Sequence, residues 1–323
     1  MTADIAPVFD EHRAFLWAVS YRLTGNAADA DDIVQETFVR ALTRPPADRD
    51  RAWRPWLVRV AVNLGRDLLR RRRRRGGYDG QWLPSPIETE PPSHEPADAA
   101  GDPSARYDML ESVSFAFLLA LEALTPMQRA TLLLRDVFDY SARETAAALG
   151  LSEANARATH LRARRALAGY EARRRPITAE RQRVERAALE KFLACVTKGD
   201  VAGVEAMLAR DARAVSDSAG EFHSNRVPVI GRVKVAALLV GVVKGLGRLR
   251  RVEVRILNGQ AAVIAQREPK PGFGPRWVTQ LEFDDPGQIT RVYTVLATRK
   301  LTAIAQPLTS PAPSGADRAF RPT

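Results

Sequence analysis

The sequence predicts a multidomain chain in which two all-α helical domains are followed by an α+β domain. The chain has 323 residues, enough for two or three domains of about 100 to 150 residues each. Residues 8–75 and 108–175 carry apolar side chains at helical spacing, without the alternation typical of strands. Alternating runs appear only later, at 251–257, 277–283 and 288–297, and favour a half-exposed sheet.

Composition indicates a polyanionic partner. Lys and Arg number 49 against 38 Asp and Glu, a net charge of +11, which suits nucleic acid or an acidic membrane surface. No run approaches the roughly 18 to 20 apolar residues of a membrane helix, and the acidic N-terminus is unlike a signal peptide. We therefore expect a cytoplasmic protein without a membrane partner. The single cysteine, Cys195, favours neither a disulfide framework nor a multi-cysteine metal site, so no metal or cofactor is expected.

The last helix of the first block predicts one packed face and one basic face. Its expected buried stripe comprises the apolar residues Leu57, Val60, Ala61, Leu64 and Leu68. Its expected donor face comprises Arg59, Asn63, Arg66 and Arg70, and the arginine run continues to Arg75. Like charges repel unless phosphate neutralises them, which favours DNA over a merely solvated face. The Asn63 amide both donates and accepts, so it suits a base edge.

An acidic cluster precedes this helix. Asn26 resembles a helix start, and the acidic residues just after it are Asp29, Asp31, Asp32 and Glu36. These carboxylates either complement the helix dipole or form a docking surface for a basic protein, and the residues alone leave both readings open.

Between the helical blocks, 79–106 contains six prolines, six acidic residues and one basic residue, which predicts a linker. The second block then contains two capping boxes, beginning at Thr125 and Ser141, and a helix that ends at Gly150. Ser152 caps the next helix after a tight turn, the spacing of a helix-turn-helix that lays its second helix in the major groove. A plain helical hairpin is the alternative.

We expect the second helix of that motif to point Ala154, Ala158 and Leu161 inward. The residues expected to remain available to DNA are Glu153, Asn155, Arg157, Arg162, Arg164 and Arg165.

The runs 9–42 and 53–74 resemble region 2 of extracytoplasmic-function sigma factors, and the run 121–167 resembles their region 4. The resemblance implies that the chain directs RNA polymerase core to promoters, through contacts to the β′ clamp and the β flap. For the DADDIVQETF segment it implies core binding by Asp29, Asp32, Gln35 and Glu36. For the WLVRVAVN segment it implies reading of the minus-ten element by Arg59, Asn63, Arg66 and Arg70. For the helix-turn-helix it implies binding of the minus-thirty-five element by Ser152, Glu153, Asn155, Arg157 and Arg162.

The linker segment Trp82-Leu83-Pro84-Ser85-Pro86 resembles the WLPEP-like motif of a subgroup of these sigma factors that includes the sigma factor J type. That subgroup carries a C-terminal SnoaL-like domain with an NTF2-like cone fold, which residues 180–305 resemble. The resemblance implies that this domain adjusts sigma activity. Two motifs depart from the family: a DGGGK-like segment reads DSAGE at 217–221, including Gly220, and an NPDKL-like segment reads ATRKL at 297–301. The expected divisions are 1–76, 77–107, 108–175, 176–306 and a disordered tail at 307–323.

The third domain also raises the question of catalysis. Residues that would line its cavity are Asp217, His223, Arg276, Trp277 and Tyr293. The turn and loop context of Asp217 and His223 favours a non-catalytic role, so no catalytic residue is expected. The rival interpretations are a stand-alone helix-turn-helix regulator that senses a small ligand and, more weakly, an enzyme acting on a small apolar substrate.

Overall fold

The computed structural model describes residues 5–46, 53–74, 78, 80–89, 108–245, 247, 249–285 and 287–305. The tail expected at 307–323 and linker residues 90–107 lie outside these ranges.

The first module comprises α1 (Ala6–Thr24), α2 (Ala27–Thr43) and α3 (Trp53–Arg74). Gly25 ends α1 with φ 65°, a left-handed conformation that glycine adopts without strain. The Asn26 side chain then accepts a hydrogen bond from the Asp29 amide at 3.2 Å, which confirms the expected helix start.

The second module comprises α4 (Phe115–Ala120), α5 (Pro126–Asp136), α6 (Ala142–Leu149), α7 (Glu153–Ala166) and α8 (Ala168–Glu171). Both expected capping boxes are present, at Thr125 and Ser141. Gly150 ends α6 with φ 67°, and the Ser152 hydroxyl accepts from the Asn155 amide at 3.2 Å to begin α7. The helix-turn-helix prediction is therefore confirmed.

The two modules pack against each other and share one apolar core. Helix α3 contacts both α5 and α6. Two buried arginines cross the boundary: Arg22 of α1 donates to the Ser112 hydroxyl at 2.7 Å, and Arg129 of α5 donates to the Leu23 carbonyl at 3.1 Å. A buried guanidinium needs such partners to offset its lost hydration.

The third domain begins with α9 (Ala179–Lys198) and α10 (Val201–Met207) and adds α11 (Arg232–Gly245). Its strands are β1 (Leu208–Asp217), β2 (Val229–Ile230), β3 (Leu249–Leu257), β4 (Gln260–Arg267), β5 (Arg276–Phe283) and β6 (Ile289–Val295). They form a mixed sheet in the order β2-β1-β6-β5-β4-β3, in which β1 and β6 are parallel and the other neighbours antiparallel. Helices cover one face, as the α+β prediction requires.

The other face of the sheet is covered by the linker and by α4. Leu83 of the linker and Phe115 of α4 pack there with Tyr293 and Ile264. The linker was expected to run between the two DNA-binding halves, and from Leu83 to Ile87 it is buried between the first module and the sheet. Its prolines fix an extended path that leaves few backbone donors to satisfy.

Helical register was the main error of the sequence prediction. On α3 the residues that are buried are Leu57, Val58, Ala61, Val62, Gly65, Arg66 and Leu69. Of the expected stripe, Val60, Leu64 and Leu68 are only half-buried. On α7 the inward residues are Ala156, Thr159 and Ala163, whereas Ala154, Ala158 and Leu161 are exposed. Apolar side chains occupy both registers, so tertiary packing decides which set is buried.

Candidate nucleic-acid and protein interfaces

The basic face of α3 is divided between exposed and buried donors. Arg59 and Arg70 are exposed, and Asn63 is half-buried. Arg66 is only 8% exposed, and its Nη1 donates to the Asn63 Oδ1 at 3.0 Å. Burial, together with the neighbouring Arg70 charge, lowers the pKa of Arg66. In this conformation Arg66 therefore orients the Asn63 amide and leaves the Asn63 Nδ2 as the group available to a base.

The end of the arginine run makes intramolecular contacts. Arg72 forms an ion pair with the buried carboxylate of Asp29, and Arg73 donates to the Leu124 carbonyl of the second module. Arg70, Arg71 and Arg74 are exposed. The run thus joins helices as well as offering charge to solvent.

The outer face of α7 is accessible. The residues predicted to contact DNA, Ser152, Glu153, Asn155, Arg157, Arg162 and Arg164, are all exposed. Arg157 forms an ion pair with Glu153 one turn earlier, which holds the guanidinium along the helix near its N-terminus.

Sequence reasoning missed one polar contact behind this face. His160 of α7 lies 2.7 Å from the buried Asp136 of α5, between Nε2 and Oδ1. The pair fixes the rotation of α7 on α5. No sequence signal links two residues 24 positions apart in this way.

The exposed face of α2 combines acidic and apolar side chains. Asp32 and Gln35 are exposed and Glu36 is half-buried, while Val39 and Leu42 are 47% and 54% exposed. These positions follow helical spacing along one stripe. Asp29, by contrast, is buried beside Arg72, and burial raises its pKa although that arginine opposes the shift. A stripe of carboxylates beside exposed apolar groups suits a basic partner protein.

The third domain meets this stripe through a 3₁₀ helix, Thr298–Lys300. Arg299 donates to the Asp32 carboxylate at 2.8 Å. The ATRKL segment of the chain therefore places a cation on the acidic stripe of α2.

Asp217 lies at the centre of a buried polar cluster that holds the linker. Its carboxylate accepts from the Leu83 amide at 2.8 Å, from the Tyr78 hydroxyl at 2.7 Å and from the Lys300 Nζ at 2.5 Å. The Lys300 Nζ also donates to the Leu83 carbonyl and lies 4.7 Å from the Trp82 ring centroid. Burial lowers the pKa of Lys300 to about 8, although Asp217 opposes that shift.

The residues expected to line one cavity are not brought together. Trp277 packs with the core beneath the helices, whereas Tyr293 and Asp217 lie on the linker side of the sheet. His223 lies in a loop, edge-on to the Phe273 ring. Gly220 is in the preceding turn with φ 76°. Within the described ranges, no group of His, Cys, Asp and Glu side chains is arranged to hold a metal ion.

Comparison with known proteins agrees with these modules. Family models for Sigma-70 region 2 and Sigma-70 region 4 match residues 8–75 and 114–167. The chain is 34% identical over 255 residues to the ECF RNA polymerase sigma factor SigJ of Mycobacterium tuberculosis, covering 78% of each protein. It belongs to the extracytoplasmic-function sigma factors. SigG of the same species is 37% identical over 161 residues, which cover 46% of this chain and 44% of that protein. The crystal structure of SigJ superposes with a TM-score of 0.67 at 28% identity, covering 92% of this chain and 98% of that one.

As a sigma factor, the chain binds RNA polymerase core and directs promoter recognition and transcription initiation. Region 2 is the module of α1 to α3, and region 4 contains the α6–α7 helix-turn-helix. The SigJ structure extends over the α+β domain as well, in agreement with the predicted order of two helical regions followed by a domain of helices and a sheet. No helix in the described part of this sigma factor has the length and apolar character to cross a membrane.

Proposed function

We propose that three surfaces of the chain act in transcription initiation: the α2 stripe, the outer face of α3, and region 4 with its helix α7. The α2 stripe binds the β′ clamp of the polymerase, and region 4 also meets the β flap. The outer face of α3 captures bases of the minus-ten element, and α7 reads the minus-thirty-five element in the major groove. The single observation that carries the proposal is that α3 and α7, helices of two modules joined in sequence by a linker, each present exposed basic side chains, while α2 presents an acidic and apolar stripe.

The roles of the α3 residues differ. Arg59 and Arg70 are exposed cations suited to phosphate, whereas Asn63 presents an amide whose oxygen is already bonded to Arg66. An amide held in this way is prepared to bond an unstacked base. On α7, Asn155 and Arg157 lie in the first turns of the helix, where base contacts are made, while Arg162 and Arg164 lie further along, where phosphate contacts are expected.

The described arrangement cannot engage both elements at once. Their centres are about 25 base pairs apart, which is about 85 Å at 3.4 Å per base pair. Helix α3 contacts α6, so α3 and α7 are within about two helix diameters, roughly 20 Å. Region 2 and region 4 must therefore separate. We call the described arrangement, in which region 2 and region 4 pack against each other, the closed arrangement. We propose that the C-terminal domain modulates activity by holding the linker in this closed arrangement.

The test uses two asparagine variants in reconstituted transcription. Asn63→Ala should lower open-complex formation on duplex promoter by about 5- to 150-fold, as expected for a lost base contact of about 1–3 kcal/mol, and leave core binding unchanged. On a template melted in advance around the minus-ten element, the defect should shrink because opening is bypassed.

Asn155→Ala is the matched control. It makes the same side-chain change at an exposed position of region 4, and it should weaken closed-complex binding equally on duplex and pre-melted templates. Loss of core binding by Asn63→Ala, or equal defects of that variant on both templates, would contradict the proposed base capture.

A further inference from the structure

The turn between β3 and β4 lies at the junction where region 2, the linker and the start of region 4 meet. Asn258 and Gly259 form this turn with φ of 52° and 76°, the left-handed pair that suits an Asn-Gly hairpin. A turn of this kind is normally a solvent-exposed tip. Here Asn258 is fully buried, at 0% exposure, so the hairpin end is a contact rather than a free loop.

The Asn258 side chain bonds three separate segments. Its Nδ2 donates to the Tyr21 hydroxyl of α1 at 2.8 Å and to the Val113 carbonyl, just before α4, at 2.7 Å. Its Oδ1 accepts from the Ile87 amide of the linker at 2.9 Å. The Asn258 backbone amide returns a bond to the Ile87 carbonyl at 3.0 Å. One amide thus satisfies groups from region 2, the linker and the start of region 4.

Neighbouring contacts extend the same junction. The Tyr21 hydroxyl donates in turn to the Ser85 carbonyl of the linker at 2.7 Å. The Gly259 amide donates to the Thr89 hydroxyl at 3.0 Å. A Cβ at Gly259 would lie 2.9 Å from the Ile177 Cδ1 and 3.0 Å from the Leu110 Cγ, so a side chain here would displace both neighbours, and the positive φ would add backbone strain.

We infer that Asn258 ties region 2, the linker and region 4 into the closed arrangement, and that its release is a step of activation. Because one side chain serves all three segments, losing its position costs bonds in all three at once. Opening is then concerted: the segments are freed together rather than one at a time. The activation step rests on the proposed function, whereas the tie itself rests on the contacts alone.

Asn258→Gly in the full-length chain tests the tie. Glycine keeps the left-handed turn and removes only the amide. Peptide-resolved hydrogen exchange should show faster exchange, by about tenfold or more, in three places together: the end of α1, linker residues 83–89 and residues 108–115. The β4 and β5 strands should keep their protection.

Asp139→Gly is the matched control. Asp139 also has positive φ, 53°, but it is exposed in a turn of region 4, so this variant makes the same backbone change without removing a junction contact. Tyr21→Phe removes one of the three partners. In combination with Asn258→Gly it should add less than its effect in the wild-type background, because both changes break the same bond.

Faster exchange confined to the β3–β4 hairpin itself would overturn the inference that Asn258 holds the three segments together. For the activation step, run-off transcription at limiting sigma should rise by about two- to tenfold in Asn258→Gly and not in Asp139→Gly. Concerted loss of protection with unchanged or reduced transcription would overturn that step. Failure of the wild-type chain to support transcription with core would instead count against the proposed promoter-binding surfaces. The hydrogen-exchange result would still show whether Asn258 holds the three segments together.

Discussion

At the scale of single residues, the Lys300–Asp217 ion pair places two opposite charges in the interior of the molecule. Both side chains are nearly fully buried, with exposures of 2% and 0%. A buried carboxylate and ammonium lose hydration, and their mutual attraction repays this only when other donors and acceptors complete the site. Tyr78 and Leu83 supply those groups, and both belong to the segment between region 2 and region 4. The pair therefore stabilises attachment of the linker as well as the fold of the C-terminal domain.

Lys300→Met should lower the free energy of unfolding by about 3 kcal/mol or more, because it leaves the Asp217 carboxylate buried without its cation. Asp217→Asn combined with Lys300→Met should cost less than the sum of the single changes, since no charge then remains buried. Denaturant titration of the four proteins measures this. Arg250→Ala, which breaks the exposed Arg250–Glu268 pair, is the control and should leave the midpoint unchanged. Additive losses would mean that the two buried charges do not stabilise each other.

At the scale of elements, Arg299 of the 3₁₀ helix at Thr298–Lys300 competes with any basic partner protein for the Asp32 carboxylate of α2. The Arg299–Asp32 pair is exposed on both sides, 69% and 62%, so it contributes less than about 1 kcal/mol to folding. Its effect on binding is different, because a partner of α2 must displace the guanidinium before it reaches Asp32.

Arg299→Glu should therefore raise the affinity of the full-length chain for polymerase core by about two- to fivefold, more at low salt than at high salt. Fluorescence anisotropy with labelled sigma factor measures it. Asp32→Ala breaks the same ion pair from the other side and should lower affinity instead, which separates loss of the pair from loss of the binding carboxylate. A fall in affinity in both variants would show that the pair supports core binding rather than competing with it.

The elements also show how much of the structure can be predicted from the sequence. The helix starts at Asn26, Thr125, Ser141 and Ser152 were predicted because capping is a local interaction within four residues. Strands β3, β5 and β6 alternate and were predicted. Strand β4 is buried on both faces, so Ala261 to Ala265 form a continuous apolar run without a period of two.

The contacts that join the domains were beyond sequence reasoning. Asn258-Gly259 is a hairpin signal that the sequence contains, but its three partners lie 145 to 237 residues away. The same holds for Lys300, whose role depends on Leu83 of the linker, 217 positions earlier. Arg66 was predicted to face DNA because its charge suits phosphate, yet packing turned it inward to Asn63.

At the scale of the whole molecule, the proposed function makes DNA binding depend on the polymerase. The exposed outer face of α7 is available in the closed arrangement, whereas α3 lies against region 4, with Arg59 close to Gly150. The free chain should therefore contact the upstream element alone. In the proposed function, core would bind the α2 stripe and supply the free energy that separates the modules.

In the closed chain the two DNA-binding surfaces are held together, whereas the two promoter elements are about 85 Å apart on DNA. The free full-length chain should consequently bind a duplex with both elements no more than about twofold tighter than a duplex with the minus-thirty-five element alone. In the presence of core the two-element duplex should be preferred by about tenfold or more. Competition binding at fixed salt, with a duplex in which the minus-ten element is scrambled, measures both ratios. A stand-alone regulator would instead select its full site without core, and a strong two-element preference by the free chain would show that the modules separate unaided. For Asn258→Gly without core, the preference for the two-element duplex should lie between these two ratios. With the junction loosened, some of the free chains reach the separation of modules that the DNA requires before core binds.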